Sequence, residues 1–472
     1  MASPSISFNQ IPASIRKPGK YFEFNTALAV RTLPANSQKV ALIGQRLVAG
    51  SVAALAPTDV FSESEAAAAF GYGSHLHLMV RAAIQANPYL SITCVALDDA
   101  AGVAATGTVV VAGPATSSGA LSLMVGDQTV AVAVSSGDVS TAIATALAAA
   151  VTARPDLPVS ASVAASTVTL TAKNKGTLGN TIKVSSAVTA TGVTAPVTAM
   201  ASGTIDPTLA TALATIYAAG HTIVVPAYND ATSLTALRTH LDSVSSPLEQ
   251  RGAIGVFAHL GTLATATTLA GSINSGRITG LFLPAGYENV WEVAAAYAAV
   301  IASEEDPARP LNTLGLTGVL PNPLANRSSR TEQESCLANG VTPTEIGPGN
   351  VVQIVRAITT YTLNAQGVAD ISLLDLTTIR TLDYVRKACR ERIALRFPRS
   401  KLSSRTPAIV RSELLDVLYK LEELEIVEEV ALWAAALIVE RDSQDPNRLD
   451  VKIPVNVVNG LHVFAGRIDL IL

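Results

Sequence analysis

From Lys39 onward the chain alternates short apolar runs with amphipathic stretches, a spacing that predicts strands and helices in turn. KVALIG (39–44) and SITCVAL (91–97) read as buried strands. Between them Ser62 and Glu65 form a capping-box signature ahead of an Ala-rich helix, and a second helix covers about 76–86. The rhythm restarts at Asp206-Pro207, where an N-cap Asp and a Pro at the first helical position predict a helix to about Ala219. HTIVVPA (221–227), GAIGVFA (252–258) and TGLFLPA (279–285) are then strands, separated by helices at about 232–244, 262–273 and 288–301. Strand and helix alternating at this spacing imply βαβ units, hence a doubly wound, mainly parallel sheet with helices on both faces. The α/β domain so predicted spans 36–100 and 204–365.

The pattern changes between 101 and 203, which has no Phe, Tyr, Trp or Glu and few charges. Alternation at Thr108–Val111, Thr129–Val134 and Val168–Thr171, broken by a helix over about 140–153, predicts an inserted, mostly β domain with small side chains. Residues 304–350 are rich in Pro, Gly and Asn and read as a long irregular segment, the kind that serves function or an interface. A strand is expected at 351–361 and two long helices at about 377–397 and 407–424, within an α+β C-terminal domain over 366–472.

Both ends carry pattern without core. Residues 1–35 read as an arm: Pro4, Pro12 and Pro18-Gly19 forbid a continuous helix, and Tyr21, Phe22, Glu23 and Phe24 make a short β-prone run. At the other end Val451, Ile453, Val455 and Val457 alternate with Lys452, Pro454, Asn456 and Val458. Asn459-Gly460 is a strong hairpin signal, after which Phe464, Ile468, Leu470 and Leu472 share one side. An apolar strand at an edge is a template for another chain. Either it is covered within its own fold or it belongs to a polymer. We expect 430–440 and 451–458 to form a local sheet and 461–472 to cross to a neighbour, with Asn459-Gly460 as hinge.

Composition narrows the function. The 472 residues are 49% hydrophobic and 15% charged, with a net charge of −4, which gives no basis for nucleic-acid binding. Three scattered cysteines indicate neither disulfide framework nor zinc site, the N-terminus has no signal-peptide core, and no apolar run approaches the ~20 residues of a spanning helix. The expectation is a protein with no membrane insertion, not secreted by the standard route.

Charge is concentrated late in the chain. Arg386, Lys387, Arg390 and Arg392 belong to a basic block, and Glu422, Glu423, Glu425 and Glu428 to an acidic one. They read either as solvated helix faces with local ion pairs or as complementary patches that set register between subunits.

Catalytic chemistry is not indicated. His221, His240 and His259 share the α/β region with Asp230, Asp242, Ser243 and Ser246, but no GxSxG elbow or protease context accompanies them. His75 and His77 have poor metal spacing, the glycines at 176 and 179 lack the P-loop lysine, and Glu304-Glu305-Asp306 reads as a helix-ending cluster. No catalytic, cofactor or metal residue is expected.

LNTLGLTGVLP (311–321), NGVTP (339–343), VQIVRAITTY (352–361), the run 370–403 and TPAIVRSELLDVLYKLEELEIVE (406–428) together resemble tail sheath proteins of contractile-tailed phages, the Mu-like branch especially. Arg16-x-Pro18-Gly19-x-Tyr21-x-Glu23 is similar to that family's early pattern. The resemblance covers the chain except 101–203. It implies a non-catalytic subtilisin-like α/β domain, an insertion on the outside, and strand exchange through the arm and the C-terminal strand. It further implies six-fold rings stacked helically around a tail tube, with baseplate and terminator proteins at the ends. Such a virion tail would assemble in the host cytoplasm and contract to drive the tube through the envelope. A bacteriocin or secretion-system sheath, or a hydrolase on a subtilisin-like scaffold, is the alternative.

Overall fold

The computed structural model describes residues 16–22 and 33–471. The first α/β segment contains β1 (Lys39–Gln45), β2 (Thr58–Val60), α1 (Glu63–Phe70), α2 (His75–Ala86) and β3 (Ser91–Leu97). The insertion comes next, as β4 (Thr106–Val110), β5 (Gly119–Val125), β6 (Gln128–Val134), α3 (Ser140–Thr152), β7 (Val159–Ala164), β8 (Thr167–Ala172), β9 (Val184–Val188) and β10 (Val197–Ala201). The α/β pattern resumes with α4 (Leu209–Thr215), β11 (Ile223–Pro226), α5 (Ala231–Val244), β12 (Ile254–His259), α6 (Leu263–Ile273), β13 (Ile278–Phe282) and α7 (Val290–Ser303). It closes with α8 (Arg330–Ala338), β14 (Thr342–Gly347) and β15 (Val351–Ile354).

These strands build one eight-stranded sheet in the order β15-β14-β13-β12-β11-β1-β3-β2, parallel from β14 to β3 and antiparallel at both edges. Continuous apolar strands suit a parallel sheet covered on both faces, and every residue of β11 and β13 is buried. Helix α7 lies along β12, β11 and β1 and packs on α2. Residues 290–302 of α7 are all buried, Trp291 and Tyr297 among them, so this helix, apolar on every side except at Glu292, forms the centre of the core. Its Ala-rich surface lets the neighbouring backbones approach closely.

Among the described residues the strands of 101–203 pair only with one another, as a four-stranded sheet β10-β4-β8-β7 and a three-stranded sheet β6-β5-β9, with α3 packed on β6, β7 and β8. Leu121, Leu123, Ile143, Leu147, Val168 and Leu170 fill its interior, which is continuous with the core of the large sheet.

Several expectations change. Asp206-Pro207 does not open a helix: α4 starts after Thr208, and the Asp206 carboxylate instead accepts the Thr177 backbone N–H at 2.7 Å and its hydroxyl. A tertiary contact took the cap. Residues 304–350 are not wholly irregular, since α8 and β14 lie within them. Ser329 and Glu332 form a reciprocal capping box for α8, a signature present in the sequence and obscured by the surrounding Pro and Asn. The strand expected at 351–361 stops at Ile354, where Val355 turns away to donate to Pro343 O.

The C-terminal lobe contains α9 (Leu376–Arg396), α10 (Thr406–Glu423), α11 (Val430–Trp433), β16 (Ile438–Arg441) and β17 (Leu449–Lys452). Tyr384, Val385 and Cys389 of α9 pack with Val410, Leu414, Val417 and Leu421 of α10 as a second, separate core. The local sheet is shorter than expected. Residues 430–436 coil into helical turns, only 438–441 pairs with 449–452, and no hairpin forms at Asn459-Gly460. Among the described residues no helix is long and apolar enough to cross a membrane.

Candidate assembly interface

Beyond β17 the chain stays on the lobe briefly. Glu428 N–H donates to Asn456 O at 2.9 Å and Val427 bridges Val457. It then crosses to the α/β body. A Cβ on Gly460 would lie 2.5 Å from Pro310 Cγ, His462 Nδ1 is 2.9 Å from Asn312 Nδ2, and His462 Nε2 is 3.5 Å from Asp375 Oδ1. Asn459-Gly460 is therefore a close crossing point and not a tight turn.

The apolar side chains around and beyond this crossing find no cover within the described chain. Leu461, Val463, Phe464, Ile468, Leu470 and Ile471 are all exposed, Phe464 at 87% and Ile468 at 99%. Burying six such side chains is worth roughly 1.5–3 kcal/mol each, about 9–18 kcal/mol in all. Ordering the eleven backbone residues 461–471 costs about 1–2 kcal/mol each, about 11–22 kcal/mol, which offsets all of that gain. Only a site that also supplies backbone hydrogen bonds, a strand edge, captures this segment with affinity to spare.

The lobe offers such an edge. β16 and β17 form an isolated two-stranded hairpin, so each has an outer edge with no strand partner among the described residues. An apolar groove of about 710 Å³ runs between α9, α10 and β17, lined by Val385, Ile393, Phe397, Val410, Leu449 and Val451 among others. Sequence periodicity did not reveal this groove, because its walls come from three elements that meet only in the fold.

On the N-terminal side, Leu33 packs against the lobe core, Tyr384 Oη donates to Pro34 O at 2.9 Å, and Lys387 Nζ donates to Ala35 O at 2.7 Å. Tyr21 is half-exposed and Phe22 exposed. Glu23, Phe24 and Leu472 lie outside the described residues.

The basic block is divided in use. Arg392 is 5% exposed and donates to Asp416 at 2.7 Å and Glu413 at 3.2 Å, tying α9 to α10; its expected place in an intermolecular surface is corrected to an internal ion pair. The side chain faces the helix–helix seam, where burial requires a counter-charge. Arg386 donates to Ser245 O at 2.8 Å and pairs with Asp383. Among the described residues Arg390 reaches only Gln250 oxygens, and Lys387 only the Ala35 carbonyl. In the acidic block Glu422 accepts Val430 N–H at 2.9 Å and Glu428 lies 3.5 Å from Asn456 Nδ2. The side chains of Glu423 and Glu425 are exposed, with no ion pair or hydrogen bond in the described chain.

The residues weighed for catalysis serve local structure. Asp230 caps α5 through Ser233 N–H at 2.9 Å, Ser243 Oγ meets Tyr217 Oη at 3.1 Å, His259 Nε2 meets Thr265 Oγ1 at 2.8 Å, and Asp242 sits 3.7 Å from Arg238. His75 stacks on Trp291 at 4.3 Å, and burial holds its pKa down to about 3. His77 Nδ1 accepts Gly73 N–H at 3.0 Å. Among the described residues no group of three or more His, Cys, Asp or Glu is placed to hold a metal.

A buried charge cluster was not foreseen. Arg81 of α2 donates to Glu292 at 2.6 Å and lies 3.8 Å from Asp127 and 3.9 Å from Asp156, both from the insertion. Beside it Glu288 accepts the Leu320 N–H, and burial raises its carboxyl pKa to about 7. These residues are far apart in sequence, and no motif joins them.

Two family descriptions match the chain: a phage tail sheath protein central domain over 206–360 and a phage tail sheath C-terminal domain over 368–471. The chain is 36% identical over 487 residues to a Mu-like prophage tail sheath protein of Haemophilus influenzae, covering 99% of this chain and 100% of that one. It shares its fold with the crystal structure of a sheath tail protein from Desulfitobacterium hafniense (TM-score 0.53, 13% identity, 94% and 97% of the two chains covered). It also matches the helical sheath of the anti-feeding prophage in its contracted state (TM-score 0.50, 11% identity, 97% and 99% covered).

Proposed function

The chain belongs to the phage tail sheath family, as a Mu-like contractile tail sheath subunit, and from that premise we propose how it assembles. Residues 461–471 leave their own subunit and add as a strand to a hairpin edge of a neighbour, alongside its apolar groove. The N-terminal arm around Tyr21 and Phe22 completes the exchange. The observation that carries this reading is the pairing of an exposed apolar segment with an unfilled groove and edge in the same molecule.

Repeated head to tail, such an exchange generates a helical array, because a heterologous contact that does not close propagates. We read the array as six-fold rings stacked around a tail tube, with baseplate and terminator proteins at its ends, assembled in the host cytoplasm. The subunit acts as a mechanical part with no catalytic role, on an α/β scaffold of subtilisin-like type with the 101–203 sheets outward. Contraction then draws on packing energy stored in the extended array and drives the tube through the host envelope.

The test is deletion of Ile468–Leu472. The subunit should remain folded, since both cores lie elsewhere, but form no tubes in negative-stain images. Normal tubes from this variant would refute strand exchange through this segment.

A further inference from the structure

A second surface, distinct from the strand edge, lies where α9 meets the ends of β1, β11 and β12. It is an open cleft of about 360 Å³. Five cations line it, Lys39, Arg251, Arg380, Lys387 and Arg390, against one carboxylate, Asp383. Asp383 is already shared by Arg277 at 2.7 Å and Arg386 at 2.8 Å, and Arg251 is paired with Glu249. The other four cations form no ion pair among the described residues. Lys387, Arg390 and Arg380 reach only uncharged oxygens, and the Lys39 ammonium has no partner. Arg380 is 8% exposed, and its Nη1 is buried without a hydrogen bond. A chain of net charge −4 thus gathers an excess of positive charge at one cleft, of which only the Arg380 guanidinium feels nearby carboxylates, those of Glu304 and Asp306, beside the Asp383 already shared.

The same chain presents the complement. At the end of α10, Glu423, Leu424 and Glu425 are exposed, and the two glutamate carboxylates have no ion pair or hydrogen bond among the described residues. Glu425 and, four residues on, Glu429 have φ of +55° and +58°, a left-handed backbone that favours Gly or Asn and costs other residues on the order of 1 kcal/mol. The Glu429 carboxylate accepts Asn456 Nδ2 at 3.0 Å, while that of Glu425 stays exposed on a turn whose next two residues, Ile426 and Val427, are anchored in the lobe core.

We propose that the cleft at Lys39, Arg380, Lys387 and Arg390 receives the Glu423–Glu425 turn of a second copy of this chain. The contact rests on the sheath reading, but it is electrostatic where strand exchange is apolar. It adds register: two like-charged cleft rims repel, whereas a rim meeting the acidic turn attracts, so only one sliding position of neighbouring subunits satisfies both.

Charge reversal tests it. The pair Lys387→Glu/Arg390→Glu and the pair Glu423→Lys/Glu425→Lys should each raise the concentration needed for tube formation by about tenfold or more. A chain carrying all four changes should recover to within about threefold of the native value, and all differences should shrink at about 0.5 M salt, as screening predicts. Because a variant can misfold, native tubes are also treated with a zero-length carbodiimide. Links from Glu423 or Glu425 to Lys387 or Lys39 should appear between subunits in tubes and be missing from dispersed protein. Unimpaired assembly of both pairs, or no such links in tubes, overturns the contact while leaving the sheath reading intact. Absence of tubes from the native chain overturns the sheath reading itself and this contact with it.

Discussion

Glu288 gives the sharpest quantitative test of the structure. Its carboxyl is buried at the start of α7, with Oε1 accepting the Leu320 N–H and Oε2 without a partner. Asp127 from the β5–β6 turn and Glu292 on its own helix oppose its ionisation, while Lys183 from the insertion attracts it, and burial dominates. The free carboxyl ionises near 4.5 and the folded one near about 7. Between those values the folded chain holds a proton the unfolded chain has lost, so stability present below about pH 4.5 is lost as pH rises to about 7 and is then level. At about 1.4 kcal/mol per pH unit the loss is at most about 3 kcal/mol. Glu288→Gln keeps the Leu320 bond and mimics the protonated acid, so it should abolish this component. Urea denaturation is followed by the fluorescence of buried Trp291, in a background of Trp433→Phe with Ile468–Leu472 removed. Comparison at pH 5 and pH 8 should show the parent losing about 2.5 kcal/mol more than the Gln variant. Parallel pH dependence in the two proteins would falsify the assignment of a raised pKa to Glu288.

Other outcomes rest on contacts of the same kind. Arg392→Ala removes the buried cation between Asp416 and Glu413, which keep Lys420 and Arg396 as partners, and should cost about 1.5–3 kcal/mol, read as a fall in the denaturation midpoint of the lobe. Trp291→Ala empties the centre of the core and should cost about 3–5 kcal/mol by urea denaturation followed by circular dichroism. Gly460→Ala places a methyl against Pro310 and should free the segment after it, seen as faster amide exchange at 460–463 with the melting temperature unchanged.

The α/β alternation was legible because each strand is short, apolar and buried on both faces, and each helix has its own local signals. Ser62, Asp230 and Thr262 cap the helices that come after them, through N–H groups three residues on. Asp206 shows where that reasoning ends. Its local context is that of a cap, but the turn at Gly176–Thr177 is near in space and takes the carboxylate. The C-terminal reading divides in the same way. Apolar alternation in 451–472 marked side chains that the described chain leaves exposed from Leu461 to Ile471. It could not tell that Asn459-Gly460 passes against Pro310, since a turn and a close crossing both favour glycine.

The sequence alone thus determined the alternation of buried strands and helices in the α/β region, the composition break at 101–203 and the apolar character of the terminal segment, all properties of neighbouring residues. Tertiary structure decided the rest. It turned Arg392 inward to an ion pair and left Lys387 and Arg390 on a cleft rim, although the three lie within six residues on one helix. It joined Arg81, Asp127, Glu288 and Glu292 into one buried cluster. It formed the groove from α9, α10 and β17. The physical reason is common to all three: the environment of a charge and the walls of a groove are set by residues distant in the chain, and periodicity reports only on near ones.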